Sequence, residues 1–157
     1  MVFKRFCKDN KGFTLIEVMA VVAVSAILLM IIWPRAPLLS RWKLETAAQD
    51  LAGDLRLIRQ AAITTGKSCE IAFFVYTNSY RRELPDKTSQ IYLPEGIVYK
   101  GDTSFKGDPP FVHFNLMGRP SSGGTVILKS PTGEKRYIIV TPVTGRIRIS
   151  KTQPDHW

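Results

Sequence analysis

From residue 18 to residue 33 the chain reads VMAVVAVSAILLMIIW, a run in which Ser25 is the only polar side chain. Extended back to Phe13, the stretch covers 21 residues and is interrupted only by Thr14 and Glu17. A helix needs about 20 such residues to cross the ~30 Å hydrocarbon core of a bilayer. The twelve residues before it carry Lys4, Arg5, Lys8 and Lys11 against Asp9, a net +3. Positive charge ahead of an apolar span holds that end in the cytoplasm. The rest of the chain is therefore expected on the far side of the membrane. The mean hydropathy of -0.02 averages this greasy segment with a polar body. The composition, 45% hydrophobic and 22% charged, is that of a globular chain and excludes wholesale disorder.

Two ordinary readings of this N-terminus leave oddities. A secretory signal ends in a small-residue cleavage site, whereas this stretch runs into Trp33-Pro34-Arg35. A plain anchor gains nothing from the carboxylate of Glu17, which costs roughly 2.5–3.5 kcal/mol at a helix centre and less near its end. The string Lys11-Gly12-Phe13-Thr14-Leu15-Ile16-Glu17-Val18-Met19 resembles the class III signal of type IV pilins and type II secretion pseudopilins. The resemblance implies cleavage between Gly12 and Phe13 by a prepilin peptidase on the cytoplasmic side, and N-methylation of Phe13. It also implies that Glu17 guides assembly by pairing with the N-terminal amine of a neighbouring subunit. Pro34 falls where many family members carry a helix-kinking proline. The implied partners are the peptidase, other pilin or pseudopilin subunits, and inner-membrane lipid before assembly. The plain alternative for Glu17 is a carboxylate snorkelling at the interface.

Beyond Pro34 the pattern is amphipathic. Leu44, Ala48, Leu51, Leu55, Ile58 and Ala62 recur at spacings of four and three, one helical face. Gly66 supplies an end. The spacing predicts one long helix from about residue 13 to residue 65, bent or interrupted at Pro34 and Pro37. Short strands are expected at residues 69–76, 90–93, 97–100, 111–114, 125–129, 135–141 and 146–150, from their aromatic and β-branched content and the turns between them. Residues 78–87 and 101–110 are read as mobile loops.

The stretch from Phe114 to Leu128, and the stretch from Arg136 through Thr144-Gly145-Arg146, resemble the second half of minor pseudopilins of the GspH/FimT type. The expected fold is α+β and pilin-like: a long N-terminal helix, its first half in the membrane, packed on a C-terminal antiparallel sheet or sandwich. The expected segments are a leader at 1–12, a transmembrane helix at 13–33, its amphipathic continuation at 34–66 and an extracytoplasmic β-domain at 67–157. The resemblance implies a non-enzymatic subunit of a type IV pilus or type II secretion pseudopilus. It would reside in the cytoplasmic membrane as a single-pass protein and then in the filament.

No catalytic constellation, metal-ligand cluster or cofactor motif is found, and no small-molecule substrate is implied. His113 reads as a packed or half-exposed strand residue, and His156 lies in the tail. Ser121-Ser122-Gly123-Gly124 follows a proline and precedes a strand, so it reads as a turn. Cys7 lies in the leader, which leaves Cys69 without an internal partner, as a small buried side chain. From Arg119 onward there are seven basic residues against two acidic ones. Arg146 and Arg148 are two apart on a strand and project to one face. With Arg119 and Arg136 they are the candidate contacts to DNA phosphates. Gly145-Arg146-Ile147-Arg148 also resembles a Gly-Arg-x-Arg motif linked with DNA binding in FimT-type pilins of natural transformation. The plain alternative is a strand solvated outside and apolar inside.

Overall fold

The computed structural model describes residues 13–32, 36–101 and 103–154. The chain divides into two compact units, Met1–Ala36 and Pro37–Trp157.

In the first unit, α1 spans Leu15–Ile32. Thr14 caps it. The Glu17 amide donates to the Thr14 Oγ1 at 3.3 Å and to the Thr14 carbonyl at 3.1 Å. Thr14-Leu15-Ile16-Glu17 is thus a Thr-x-x-Glu capping sequence, with Glu17 in the first turn where a carboxylate complements the helix dipole. Side chains on every side of α1 are exposed and apolar, from Ile16 and Met19 to Ile27 and Leu29. A helix apolar all round requires an apolar environment. Among the described residues no helix is long and apolar enough to cross a membrane. The 18 residues of α1 rise about 27 Å, and the span expected at 13–33 runs past its end. The expected break at Pro34 lies outside the described residues.

The second unit starts from α2, Ala36–Thr65. Leu44, Ala47, Ala48, Leu51, Ala52, Leu55, Ile58 and Ala62 are all at most 2% exposed, so the stripe read from the spacing is the buried face. The helix ends at Gly66, whose amide donates to the Ala62 carbonyl at 3.1 Å. Eight strands follow: β1 (Cys69–Phe74), β2 (Ser79–Leu84), β3 (Lys87–Tyr92), β4 (Val98–Tyr99), β5 (Phe111–Phe114), β6 (Gly124–Lys129), β7 (Lys135–Val140) and β8 (Ile147–Ser150). They form two antiparallel four-stranded sheets, ordered β3-β2-β1-β5 and β4-β6-β7-β8.

One core joins the α2 stripe to both sheets, through Ile71, Phe73, Val112 and Phe114 from the first and Val126, Leu128, Ile138 and Val140 from the second. Each such side chain contributes about 1.5–3 kcal/mol on burial. Polar ties then fix the helix on the sheets. Asp54 of α2 accepts from the Tyr80 hydroxyl at 2.7 Å and from Arg82, and Glu45 pairs with Arg136 at 2.8 Å.

One expectation is corrected. Residues 79–84 form a strand, not a loop: β2 pairs with both β1 and β3. Its Ser-Tyr-Arg-Arg-Glu-Leu sequence lacks the β-branched signal, and pairing on both sides with burial of Ser79 and Tyr80 supplies what propensity does not. The strands on either side of Pro94-Glu95-Gly96 go to different sheets, β3 to the first and β4 to the second.

Candidate functional site

The N-terminal candidates lie at the start of α1. Phe13 is 83% exposed, one residue ahead of the Thr14 cap. A cut before Phe13 leaves that cap and the helix intact. It also creates an ammonium at the positive end of the helix dipole, and the Glu17 carboxylate, four residues on, offsets it. Gly12 lies outside the described residues, as does Cys7.

The basic candidates separate into two groups. Arg136 is buried at 5% exposure and points to the core side of β7. Its Nε donates to the Glu45 Oε2 at 2.8 Å and its Nη1 to the Lys135 carbonyl at 2.8 Å. That guanidinium chiefly holds the Glu45 carboxyl below the usual carboxylate range. Arg136 is therefore a tie between helix and sheet and not part of a surface. Its strand neighbours Tyr137, Ile138, Ile139 and Val140 are all buried, so β7 lacks the polar alternation that would have marked its faces in the sequence.

Arg119, Arg146 and Arg148 are exposed. The fold brings them to one end of the second unit together with two arginines of α2 that sequence reasoning did not place there. Arg59 donates from Nε to the Gly118 carbonyl at 3.0 Å, beside Arg119. Arg56 donates from Nη2 to the Ile147 carbonyl at 3.5 Å, between Arg146 and Arg148. The two loops meet at Gly145, whose φ is +62; a Cβ there would lie 2.6 Å from the Gly118 carbonyl oxygen. Only glycine fits, and this close approach sets Arg146 next to the 115–119 loop. Among the described residues the ion pairs are Arg41–Glu134, Arg81–Glu83, Arg82–Asp54 and Arg136–Glu45, so no acid neutralises these five arginines. The exposed Leu116, Met117 and Val143 stand among them. Such a surface can neutralise an anionic polymer through its phosphates.

The remaining candidates are structural. His113 stacks on Phe111 with ring centroids 6.3 Å apart. Cys69 is a buried free thiol whose pKa burial raises. In the Ser121-Ser122-Gly123-Gly124 turn, a Cβ on Gly124 would lie 2.7 Å from the Phe105 ring, so the glycine serves packing. Among the described residues no group of His, Cys, Asp and Glu is placed to hold a metal. His156 lies outside the described residues.

Comparison with known proteins places this geometry. The family model described as prokaryotic N-terminal methylation motif matches residues 7–33, and that described as type II transport protein GspH matches residues 47–145. The competence protein ComGD of Bacillus subtilis (strain 168) is 26% identical over 145 residues, covering 91% of this chain and 95% of the relative. The minor pseudopilin EpsH of the Vibrio cholerae type 2 secretion system shares the fold with a TM-score of 0.55 at 18% identity, over 69% of this chain and 96% of its own. The type IV minor pilin FimU of Pseudomonas aeruginosa shares it with a TM-score of 0.56 at 16% identity, over 70% of this chain and 90% of its own.

Proposed function

Because the chain belongs to the GspH family of type II transport proteins, as a pilin-like, non-enzymatic subunit with an N-terminal methylation motif, we propose that it is cut between Gly12 and Phe13, methylated at Phe13, and assembled through Glu17. In this reading residues 1–12 are the leader and residues 13–33 hold the chain in the cytoplasmic membrane. The helical and β segments, 34–66 and 67–157, then lie outside the cytoplasm before entering a pilus or pseudopilus. The observation that carries the reading is the placement of the motif. Its cleavage point falls before a Thr14-capped helix that is apolar apart from Glu17 and Ser25, so processing keeps that helix in the product.

The test is N-terminal sequencing and intact mass of the chain co-expressed with a prepilin peptidase. The expected product starts at methylated Phe13, and any other mature end removes the reading. Glu17→Gln separates assembly from processing. Its expected phenotype is normal cleavage with the subunit left in the membrane fraction and absent from sheared filaments.

A second reading is favoured by one observation, the five arginines with no acidic partner among the described residues: this subunit contacts DNA in an uptake filament. The similarity to a competence protein supports it. The full chain in detergent micelles is titrated with duplex DNA over a salt series. Phosphate contacts predict a linear fall of log K with log salt, of slope about -0.9 per phosphate neutralised, and a shallower slope for Arg146→Ala/Arg148→Ala. No binding at low salt eliminates it and leaves the assembly reading untouched.

A further inference from the structure

The β6–β7 turn, residues 130–134, docks on the first turns of α2. The Ser40 Oγ lies 3.4 Å from the Thr132 Oγ1, and Arg41 pairs with Glu134 at 3.3 Å. Arg41 is 15 residues from Arg56, so this end of the second unit lies about 22 Å along α2 from the exposed arginines.

Two kinds of side chain gather there. Leu38, Leu39 and Trp42 are exposed, Trp42 by 74%, because the buried stripe of α2 begins only at Leu44. Trp42 stands three and four residues from the two leucines, so the three share one helical face. Lysines occupy the same end. Lys129 and Lys135 flank the turn and stand opposite each other across β6 and β7, and their neighbours Leu128 and Arg136 point to the core side. Lys100 joins them, since its amide donates to the Ile127 carbonyl at 2.8 Å. A side-chain hydrogen bond with Lys135, and its like charge, hold the Lys100 pKa below the usual lysine value.

Among the described residues Lys43, Lys100, Lys129 and Lys135 form no ion pair. Of the acids nearby, Glu134 is held by Arg41 and Glu45 by Arg136. Glu95 remains, on the turn where a Cβ on Gly96 would lie 3.1 Å from the Pro131 ring. Cations therefore dominate this end.

An exposed apolar face beside unpaired lysines calls for a partner that is apolar and anionic at once. Duplex DNA supplies phosphates but no apolar phase. A second copy of a chain of net charge +9 brings like charge to the contact. A bilayer of anionic lipids supplies both, with tryptophan at the headgroup level and lysine stems reaching the phosphates. Covalent reach permits the contact. Leu38 is five residues past Trp33, where the apolar run ends, and five residues extend at most about 18 Å.

We propose that this end of the second unit docks on an anionic phospholipid surface, with Leu38, Leu39 and Trp42 in the interface and Lys43, Lys100, Lys129 and Lys135 on the headgroup phosphates. The docking rests on the reading that residues 13–33 hold the chain in the membrane. It keeps the β-domain at the lipid surface until the subunit is assembled.

Tryptophan fluorescence of the full chain in vesicles tests it. Trp33→Phe/Trp157→Phe leaves Trp42 as the reporter of the patch, and Trp42→Phe/Trp157→Phe leaves Trp33 as the reporter of the anchor. The vesicles are phosphatidylcholine with or without phosphatidylglycerol, and lipid brominated on the upper acyl chain is the quencher. Trp42 should be quenched at least twofold more with phosphatidylglycerol than without it. That excess should vanish in Lys100→Gln/Lys129→Gln/Lys135→Gln. Quenching of Trp33 without quenching of Trp42 overturns the proposal and leaves the anchor reading standing, whereas quenching of neither removes both. Trp42 quenching that is equal with and without phosphatidylglycerol, or indifferent to the lysine variant, also overturns it. So does a blue-shifted Trp42 that lipid does not quench, which means that a second copy covers the face.

Discussion

Val143 is held at φ +68 while 71% exposed. A β-branched residue in the left-handed region is strained by about 1–2 kcal/mol, and at this exposure no burial offsets it. Asn tolerates that backbone. Val143→Asn should therefore raise stability by about 1 kcal/mol, read as a higher Tm; an unchanged or lower Tm refutes the strain. Arg136 and Arg148, two basic residues of one sheet, should behave oppositely. Arg136→Ala removes a buried charge-assisted bond to Glu45 and should cost about 1.5–3 kcal/mol. Arg148→Ala, on an exposed side chain, should stay within about 0.5 kcal/mol. The same pair sets a pH dependence. Arg136 lowers the Glu45 pKa in the folded state, so the unfolded chain binds that proton more readily. The stability Glu45 contributes is whole above the ordinary glutamate value, about 4.3, and is lost as pH falls below it. Melts of Glu45→Gln against pH should show a shallower acid fall than the parent. The difference is small, because the Glu45 side chain is 37% exposed and screened by solvent.

The element that organises the second unit is α2. Leu51 is fully buried at its centre and Leu57 is 45% exposed, two turns of the same helix with the same chemistry. Leu51→Ala should cost about 2–5 kcal/mol and Leu57→Ala about 1 kcal/mol or less. Equal losses from the two would mean that the stripe is not the packing face. Among turns, Gly145 and Gly133 both have positive φ, at +62 and +89. Alanine at Gly133 meets open space and bears only the backbone strain. Alanine at Gly145 also meets the Gly118 carbonyl. Gly145→Ala should therefore be the more destabilising in a chemical melt, and it should weaken DNA binding by separating the two arginine-bearing loops.

For the molecule as a whole, the basic surface is assembled from three distant stretches of chain: α2, the 115–119 loop and the approach to β8. Arg56 belongs to it only through the fold. If the DNA reading holds, Arg56→Ala and Arg146→Ala should each reduce the salt slope by about 1, with little change in Tm. A slope unaffected by Arg56→Ala confines the contact to the β8 strand.

The sequence by itself determined the features that depend on local pattern. The apolar run behind a Gly-Phe-x-x-x-Glu string identified the N-terminal segment. The four-and-three spacing in α2 identified the buried stripe, because helical period is written in adjacent residues. The assignment to a pilin-like α+β fold followed, and the shared fold agrees with it. Only the tertiary structure decided what depends on residues far apart. It made a strand of Ser-Tyr-Arg-Arg-Glu-Leu, which local propensity reads as a loop, by giving it neighbours on both edges. It sent β3 and β4 to different sheets, although one short turn separates them. It turned Arg136 inward to Glu45 and brought Arg56 and Arg59 beside Arg119, Arg146 and Arg148. A side chain's face and its long-range partner are set by packing between elements, and packing has no period along the chain.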